Sequence, residues 1–590
     1  MLREATLKRL LSICLLALCC PVVQAATLIT HTGPGDLHQG IDGFGTCLSG
    51  SVATQSWFQN LYYQDARFSI LRMDLVPVFR SPWSDYAYNS PWFHNNPPLP
   101  GPDGNNVRTY TGPNDYGRSF AGRNAAIAVM GQDIDANIAY FDFDAASPHA
   151  AGVMAQLGQA HAAALGGFKL IGSIWSPAPW LKVSSGNSIG NADWPLPVGG
   201  TPWPFIWGGN FAGGRLDVSG TPLDVFNDGN GPTSALTQFA RSTAAYVRGF
   251  QNHYGVHFYA ISIQNELNFE EFYNSATYPL SSQYIAALKR VRSEFDRYPD
   301  LAGIRIMGPE DLLGGDAYGM WQYGGPIHKN LQYLKHIGDD PQAETAIAFF
   351  AIHGYAADGA SAANATPQQW LWWKNGWNTA PAPGLPDNVA GYASYGKKSW
   401  MTETSGEATA WLAPSTGFPG QGAFGLALRI HQALTAGDQS AWVYWQMADG
   451  KPVAEQTLTD GDLGASSAKY VAFKHYARYI RPGSVRVRVD VQGDDNVLAS
   501  AYLQASDQSL TWVVLNGNAS SRPVTVNLPA SPPEAASYAL VRSSDGALWQ
   551  QSQVSPTGGT LTFDLPGYGV ATISDGSGND RIFRNGFETP

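Results

Sequence analysis

Short apolar, β-branched runs separated by stretches of helical spacing recur from Ile41 to about Ile480. The runs fall at residues 41–45, 68–76, 169–175, 258–264, 304–308, 346–353, 399–403 and 441–446. Such alternation belongs to a parallel sheet wrapped by helices, and eight repeats predict a (β/α)8 TIM barrel. Helices are legible where capping and periodicity agree. Thr233-Ser234 caps a helix that turns Leu236, Phe239, Tyr246, Val247 and Phe250 inward and stops near Gly255. A second follows Pro279, with Ser281 or Ser282 as cap and Tyr284, Leu288, Val291 and Phe295 at helical spacing. A third covers about 424–437.

After Pro482 the pattern changes to short alternating strands at 485–491, 510–515, 524–528, 538–541 and 559–563, separated by turn residues, which predict a C-terminal side β-sandwich domain. The expected organisation is a signal peptide at 1–25, an N-terminal strand segment at 26–40 joining the side β-domain, the catalytic barrel at 41–480, the β-sandwich at 481–573 and a flexible tail at 574–590. Two stretches, 81–146 and 184–230, exceed what a minimal barrel needs; the second carries Trp194, Trp203 and Trp207. Loops of that length are commonly functional, and both follow barrel strands, which puts them on the substrate-binding face of the fold.

The leader changes the picture of compartment. Arg3, Lys8 and Arg9 precede an apolar run at 10–20 and then Pro21-Val22-Val23-Gln24-Ala25-Ala26, the pattern of a secretory signal peptide cut after Ala25. That run is short for a bilayer span and no later stretch has the length of one, so a secreted or periplasmic protein without stable membrane insertion is expected. Cys14, Cys19 and Cys20 leave with the leader. Only Cys47 remains, so no intramolecular disulfide is expected despite export. Charged residues make up 14% and aromatic residues 12% of the chain, with 19 Trp, a balance suited to broad loops that present flat rings to sugars. The net charge of −11 excludes a polyanion such as nucleic acid as partner. A carbohydrate substrate and a monomeric protein are expected.

Candidate chemistry sits at two strand ends. The fourth run reads Phe258-Tyr259-Ala260-Ile261-Ser262-Ile263-Gln264-Asn265-Glu266, and the seventh Ser399-Trp400-Met401-Thr402-Glu403. Each places a carboxyl group at the carboxyl end of a barrel strand, where catalytic residues of this fold collect. Glycoside hydrolysis with retention needs two such groups about 5–5.5 Å apart, one to protonate the leaving oxygen and one to attack the anomeric carbon. Glu266 and Glu403 are therefore read as this pair. Glu270, Glu271 and Glu407 lie in loops past the strand ends, where a carboxylate is usually solvated, and rank below them. The twelve His show no paired-ligand spacing and a lone mature Cys cannot build a thiolate cage, so no metal and no cofactor are expected.

Several ordered segments resemble glycoside hydrolase family 30, a group of retaining β-glycosidases that includes glucosylceramidase, xylanase and β-1,6-glucanase relatives. They are Gln39-Gly40-Ile41-Asp42-Gly43-Phe44-Gly45, Trp175-Ser176-Pro177-Ala178-Pro179-Trp180-Leu181-Lys182, Ile263-Gln264-Asn265-Glu266, Trp400-Met401-Thr402-Glu403 and the passage from Phe473 to Ser484. The resemblance implies that Glu266 is the acid/base and Glu403 the nucleophile, and it implies further roles. Arg72 would hydrogen-bond the nucleophile region, Asn265 would contact the sugar 2-hydroxyl, Tyr355 would orient the nucleophile, and Trp180 and Trp445 would wall the subsite of the cleaved sugar. His353 and Asp74 complete the candidate substrate-binding set. The chain departs from the family pattern at Thr46-Cys47-Leu48-Ser49-Gly50-Ser51, at Leu267 and at Asp74, for which substrate contact and pairing with Arg72 both stay open. A non-catalytic carbohydrate-binding or adhesion protein on the same scaffold is the alternative, against which the retained glutamate pair speaks.

Overall fold

The computed structural model describes residues 25–47, 50–75, 78, 80, 99–100, 106–107, 134–139, 141–175, 182–184, 214–216, 235–266, 281–312, 330–355, 368–380, 387–413 and 422–575. The leader, Trp180, the tryptophans of the second long loop, Leu267, Glu270, Glu271 and the tail motif from Arg581 lie outside them. The chain divides into two compact units, one of which comprises residues 38–485 and 504–506.

That unit is a closed barrel of eight parallel strands in sequence order: β1 (Gly43–Cys47), β2 (Ile70–Leu75), β3 (Lys169–Ile174), β4 (Phe258–Ser262), β5 (Arg305–Leu312), β6 (Ile347–His353), β7 (Ser399–Glu403) and β8 (Ala441–Gln446). All eight apolar runs became barrel strands, with ends displaced by a few residues. Side chains alternate along each strand, and the inward set forms a plug of Ile70, Ile171, Ala260, Met307, Phe349, Ala351, Trp400, Ala441 and Val443. Trp400 stacks on Tyr259 at 5.7 Å between centroids. At Gly45 a Cβ would lie 1.8 Å from the Ile70 carbonyl oxygen, so the second glycine of Gly43-Phe44-Gly45 permits β1 and β2 to close.

Among the covering helices, α1 spans Ala146–Ala160, α2 Ala235–Tyr254, α3 Ser281–Phe295 and α4 Ala423–Thr435. Leu236, Phe239, Tyr246, Val247 and Phe250 of α2 are buried as their spacing predicts. Gly255 at φ 65° then takes the left-handed position that ends the helix.

The second unit is built from the strand Ala26–His31 and from β9 (Ser484–Gln492), β10 (Val497–Gln504), β11 (Leu510–Asn516), β12 (Arg522–Asn527), β13 (Tyr538–Ser544), β14 (Ala547–Val554), β15 (Thr560–Leu565) and β16 (Val570–Ser574). Ala26–His31 pairs antiparallel with β9 and parallel with β12. Both halves of the strand path feed one core. Ala26, Leu28, Val487, Val524 and Val526 come from one half, and Val497, Trp512, Val514, Leu540 and Ile573 from the other. No helix among the described residues is long and apolar enough to cross a membrane.

Candidate active site

Alternation explains how half of the site forms. Ile70 faces the barrel interior, so Arg72 and Asp74 follow on the same face of β2; Ile171 does the same for Ser173 and Trp175 on β3, and Ala351 for His353 on β6. The three glutamates need irregularities. Strict alternation from Trp400 would turn Thr402 inward and Glu403 outward, but the pairing of β6 with β7 slips between Ile352 and His353, and Glu403 arrives opposite His353. On β5 the register slips between Pro309 and Asp311, leaving Glu310 as the extra residue, at φ 54°. Glu266 sits at φ 46°. Left-handed backbone at a non-glycine residue costs on the order of 1–3 kcal/mol and collects at functional sites.

Arg72, fully buried, is the hub. Its Nη1 donates to Glu403 Oε2 at 2.6 Å, its Nη2 to Asn265 Oδ1 at 2.7 Å and its Nε to Ser173 Oγ at 3.1 Å. Glu310 Oε1 lies 3.4 Å from Nη2 and accepts from Ser173 Oγ at 3.0 Å. The guanidinium also lies 4.7 Å from the centre of the Trp175 ring. Tyr355 donates its hydroxyl to Glu403 Oε1. His353 bridges the two acids: Nδ1 is 3.0 Å from Glu266 Oε1 and 3.8 Å from Glu403 Oε2, while Nε2 is 3.5 Å from Glu310 Oε1. Oxygen atoms of Glu266 and Glu403 and the His353 ring nitrogen all fall within 4.8 Å of one another.

Environment separates the acids. Burial raises the Glu266 carboxyl, opposed by the His353 hydrogen bond and reinforced by the Glu403 charge. Burial would raise Glu310 too, but Arg72, His353 and Ser173 together bring it down to about 2. For His353 burial works against the proton, and Glu403, Glu266 and Glu310 outweigh it and lift the ring to about 9. Burial and the Glu403 charge hold the Tyr355 phenol protonated.

The structure thus brings together Glu266, Glu403, Arg72, Asn265, His353 and Tyr355. Asp74 is half-buried and accepts from Cys47 Sγ at 3.5 Å, while Arg72 donates to Glu403, Asn265 and Ser173. Trp445 is half-buried with its ring 5.7 Å from that of Trp175. Glu310, Ser173 and Trp175 were missed as site residues. Glu310 carried one signal, a carboxylate at the end of the fifth run. The expectation that Glu407 is solvated is corrected: it is fully buried, ion-paired with Arg429, and accepts from the Tyr444 hydroxyl at 2.6 Å.

Glu266, His353 and Glu403 are spaced as metal ligands would be. The donor set fits a cation poorly. Arg72 already bonds Glu403 at 2.6 Å and brings its own positive charge beside the cluster, which opposes a second cation there.

A barrel with two strand-end glutamates at its mouth, on a chain that also folds a β-sandwich, has the architecture of barrel glycosidases. Residues 483–573 match the model of the glycosyl hydrolase family 30 beta sandwich domain. Glucuronoxylanase XynC of Bacillus subtilis is 24% identical over 313 residues, covering 50% of this chain and 57% of that protein. The chain therefore spans little more than half of that relative's length. A solved GH30 endoxylanase from Clostridium papyrosolvens C71 superposes with TM-score 0.56 at 17% identity, over 93% of this chain and 99% of that one. A solved endo-β1,6-glucanase gives 0.54 at 16% identity, over 94% of each chain. These superpositions establish the fold. Together the matches bear out the resemblance to glycoside hydrolase family 30 read from the sequence.

Proposed function

We propose that this chain is an exported retaining β-glycoside hydrolase acting on a polysaccharide or glycoconjugate. Glu403 attacks the anomeric carbon; Glu266 protonates the leaving oxygen, then takes a proton from the water that releases the glycosyl-enzyme. The observation that carries the reading is the approach of the two carboxyl groups to within 4.8 Å between oxygens. Double displacement needs about 5–5.5 Å between the groups, whereas inversion needs about 6.5–9.5 Å to admit a water. Their unequal surroundings support the division of labour. Glu403 is bonded by Arg72 and Tyr355, which favours the ionised nucleophile, and Glu266 is lifted by burial, which favours the proton donor. Asn265 is placed by Arg72 to meet the sugar, and Trp445 offers a ring for stacking. The leader read at residues 1–25 supports export.

The test is a polysaccharide panel with chromatographic resolution of products and NMR of the first anomer released. Retention is expected, with turnover abolished in Glu403→Gln and azide-restored in Glu266→Ala on substrates with good leaving groups. Full activity in either variant, or the inverted anomer, would overturn the assignment.

A further inference from the structure

A cavity of about 590 Å³ opens at the carboxyl ends of β2 and β8, lined by Asp74 and Met73 of β2, Trp445 and Gln446 of β8, Asp449 and Lys451 just beyond it, and the start of α1. Two of its lining residues connect to the glutamate pair. Asp74 leads through Cys47 (3.5 Å) to Arg72 (3.8 Å) and so to Glu403, and the Trp445 amide donates to the carbonyl of Thr404, next to Glu403. Of its three charged lining side chains two are acids, and Lys451 is the exposed partner of Asp449 at 4.0 Å. Asp74 is thus the lining acid that shares a strand face with Arg72 and is linked to Glu403. The larger cavity of the barrel, about 1030 Å³, lies around the starts of β5 and β6 and takes no part in this.

Resting on the hydrolase reading above, we infer that this cavity is a glycosyl subsite that takes a neutral sugar unit, its hydroxyls donating to Asp74 and its face against Trp445, and that Asp74 rejects a unit bearing a carboxylate. An ionised Asp74 accepts only, so a sugar hydroxyl suits it and a second carboxylate does not. The groups that set its charge are Arg72 on its own strand, Cys47 on β1, Glu403 on β7, Tyr246 on α2, and Asp449 and Lys451 across the cavity. Burial, only partly opposed by Arg72, lifts the Asp74 carboxyl to about 6. Rejection is therefore full above about pH 7 and fades as pH falls through 6 and Asp74 takes up a proton.

The experiment uses the polysaccharide selected by the panel, in two forms: native, and with primary hydroxyls partly oxidised to carboxylates. For a uronate-bearing polymer the forms are native and carboxyl-reduced. The readout is the ratio of kcat/KM for the neutral form to that for the acidic form. The full-length protein should prefer the neutral form by about tenfold or more at pH 7.5, and the ratio should fall severalfold by pH 5. In Asp74→Asn the ratio should approach one at both pH values, whatever the absolute rates. A purely structural Asp74 would slow both forms alike and leave the ratio unchanged, which overturns the inference. A wild-type ratio near one at pH 7.5, or one independent of pH, overturns it without any variant. Hydrolysis of no polysaccharide in the panel is the distinct result that removes the hydrolase reading and this inference with it.

Discussion

Replacing Glu310 by Gln tests whether the buried cluster is held together by charge. Glu310 is fully buried, 3.4 Å from Arg72 and 3.0 Å from Ser173, and its carboxyl is depressed from 4.5 to about 2. At 1.36 kcal/mol per pH unit, that difference is worth about 3 kcal/mol of folding free energy when the group is ionised. The folded value lies below the unfolded one, so this contribution is complete above about pH 4.5 and is lost as pH falls through about 2. Glutamine keeps the volume and leaves no cavity, so packing contributes little to the comparison. Urea unfolding of both proteins should give a deficit of about 3 kcal/mol for Glu310→Gln at pH 7, in line with the 3–5 kcal/mol typical of a broken buried pair. The deficit should persist to pH 5 and shrink steadily between pH 4.5 and 2. A loss below about 1 kcal/mol at pH 7, or a deficit that stays constant down to pH 2, would mean that Arg72 is compensated without Glu310.

Other consequences are as specific. His353, lifted from 6.5 to about 9, contributes stability that is complete below about pH 6.5 and lost as pH rises through 9. Wild type should lose stability across that window and His353→Gln should not. Because the His353 hydrogen bond and charge hold Glu266 down, the same variant should move the alkaline limb of kcat/KM to higher pH. Tyr355→Phe removes a donor to Glu403 and should lower kcat by about 10- to 150-fold, the worth of a hydrogen bond to a charged group, as measured by initial rates. Glu407→Gln breaks the buried pair with Arg429 and should cost about 3–5 kcal/mol in denaturant unfolding, while kcat/KM per folded molecule stays within about twofold.

The strands were legible in the sequence because a buried parallel strand is a continuous apolar run, and all eight runs closed into the barrel. The sandwich was read less completely. β14, at one end of the strand path, has little apolar alternation because none of its residues is fully buried, and the five-residue β16 follows immediately on Gly567-Tyr568-Gly569. In the site, Arg72, Ser173 and His353 follow from alternation once one inward residue of each strand is known. Glu310 and the inward turn of Glu403 depend on register slips on β5 and β7, which are decided by pairing with a neighbouring strand and leave no periodic trace. Glu407 was misread for a related reason. Its partner Arg429 comes from α4, and no local pattern announces a contact between a strand-end loop and the following helix.

Charge counting links the bulges to the chemistry. Arg72 and a protonated His353 bring two positive charges to the centre of the barrel mouth, and Glu310 and Glu403 bring two negative ones within 3.8 Å of them. With that quartet in balance, ionising Glu266 adds a negative charge that burial and Glu403 both oppose, which suits the proton-donor role proposed for it. Glu310 is then the group that offsets the second cation beside Glu403, the proposed nucleophile. Without it His353 would lose one of the three carboxylates that raise it, and the difference between the surroundings of Glu266 and Glu403 would weaken. The slip on β5 that delivers Glu310 therefore bears on the proposed division of labour between the two glutamates as directly as the slip on β7 that turns Glu403 inward.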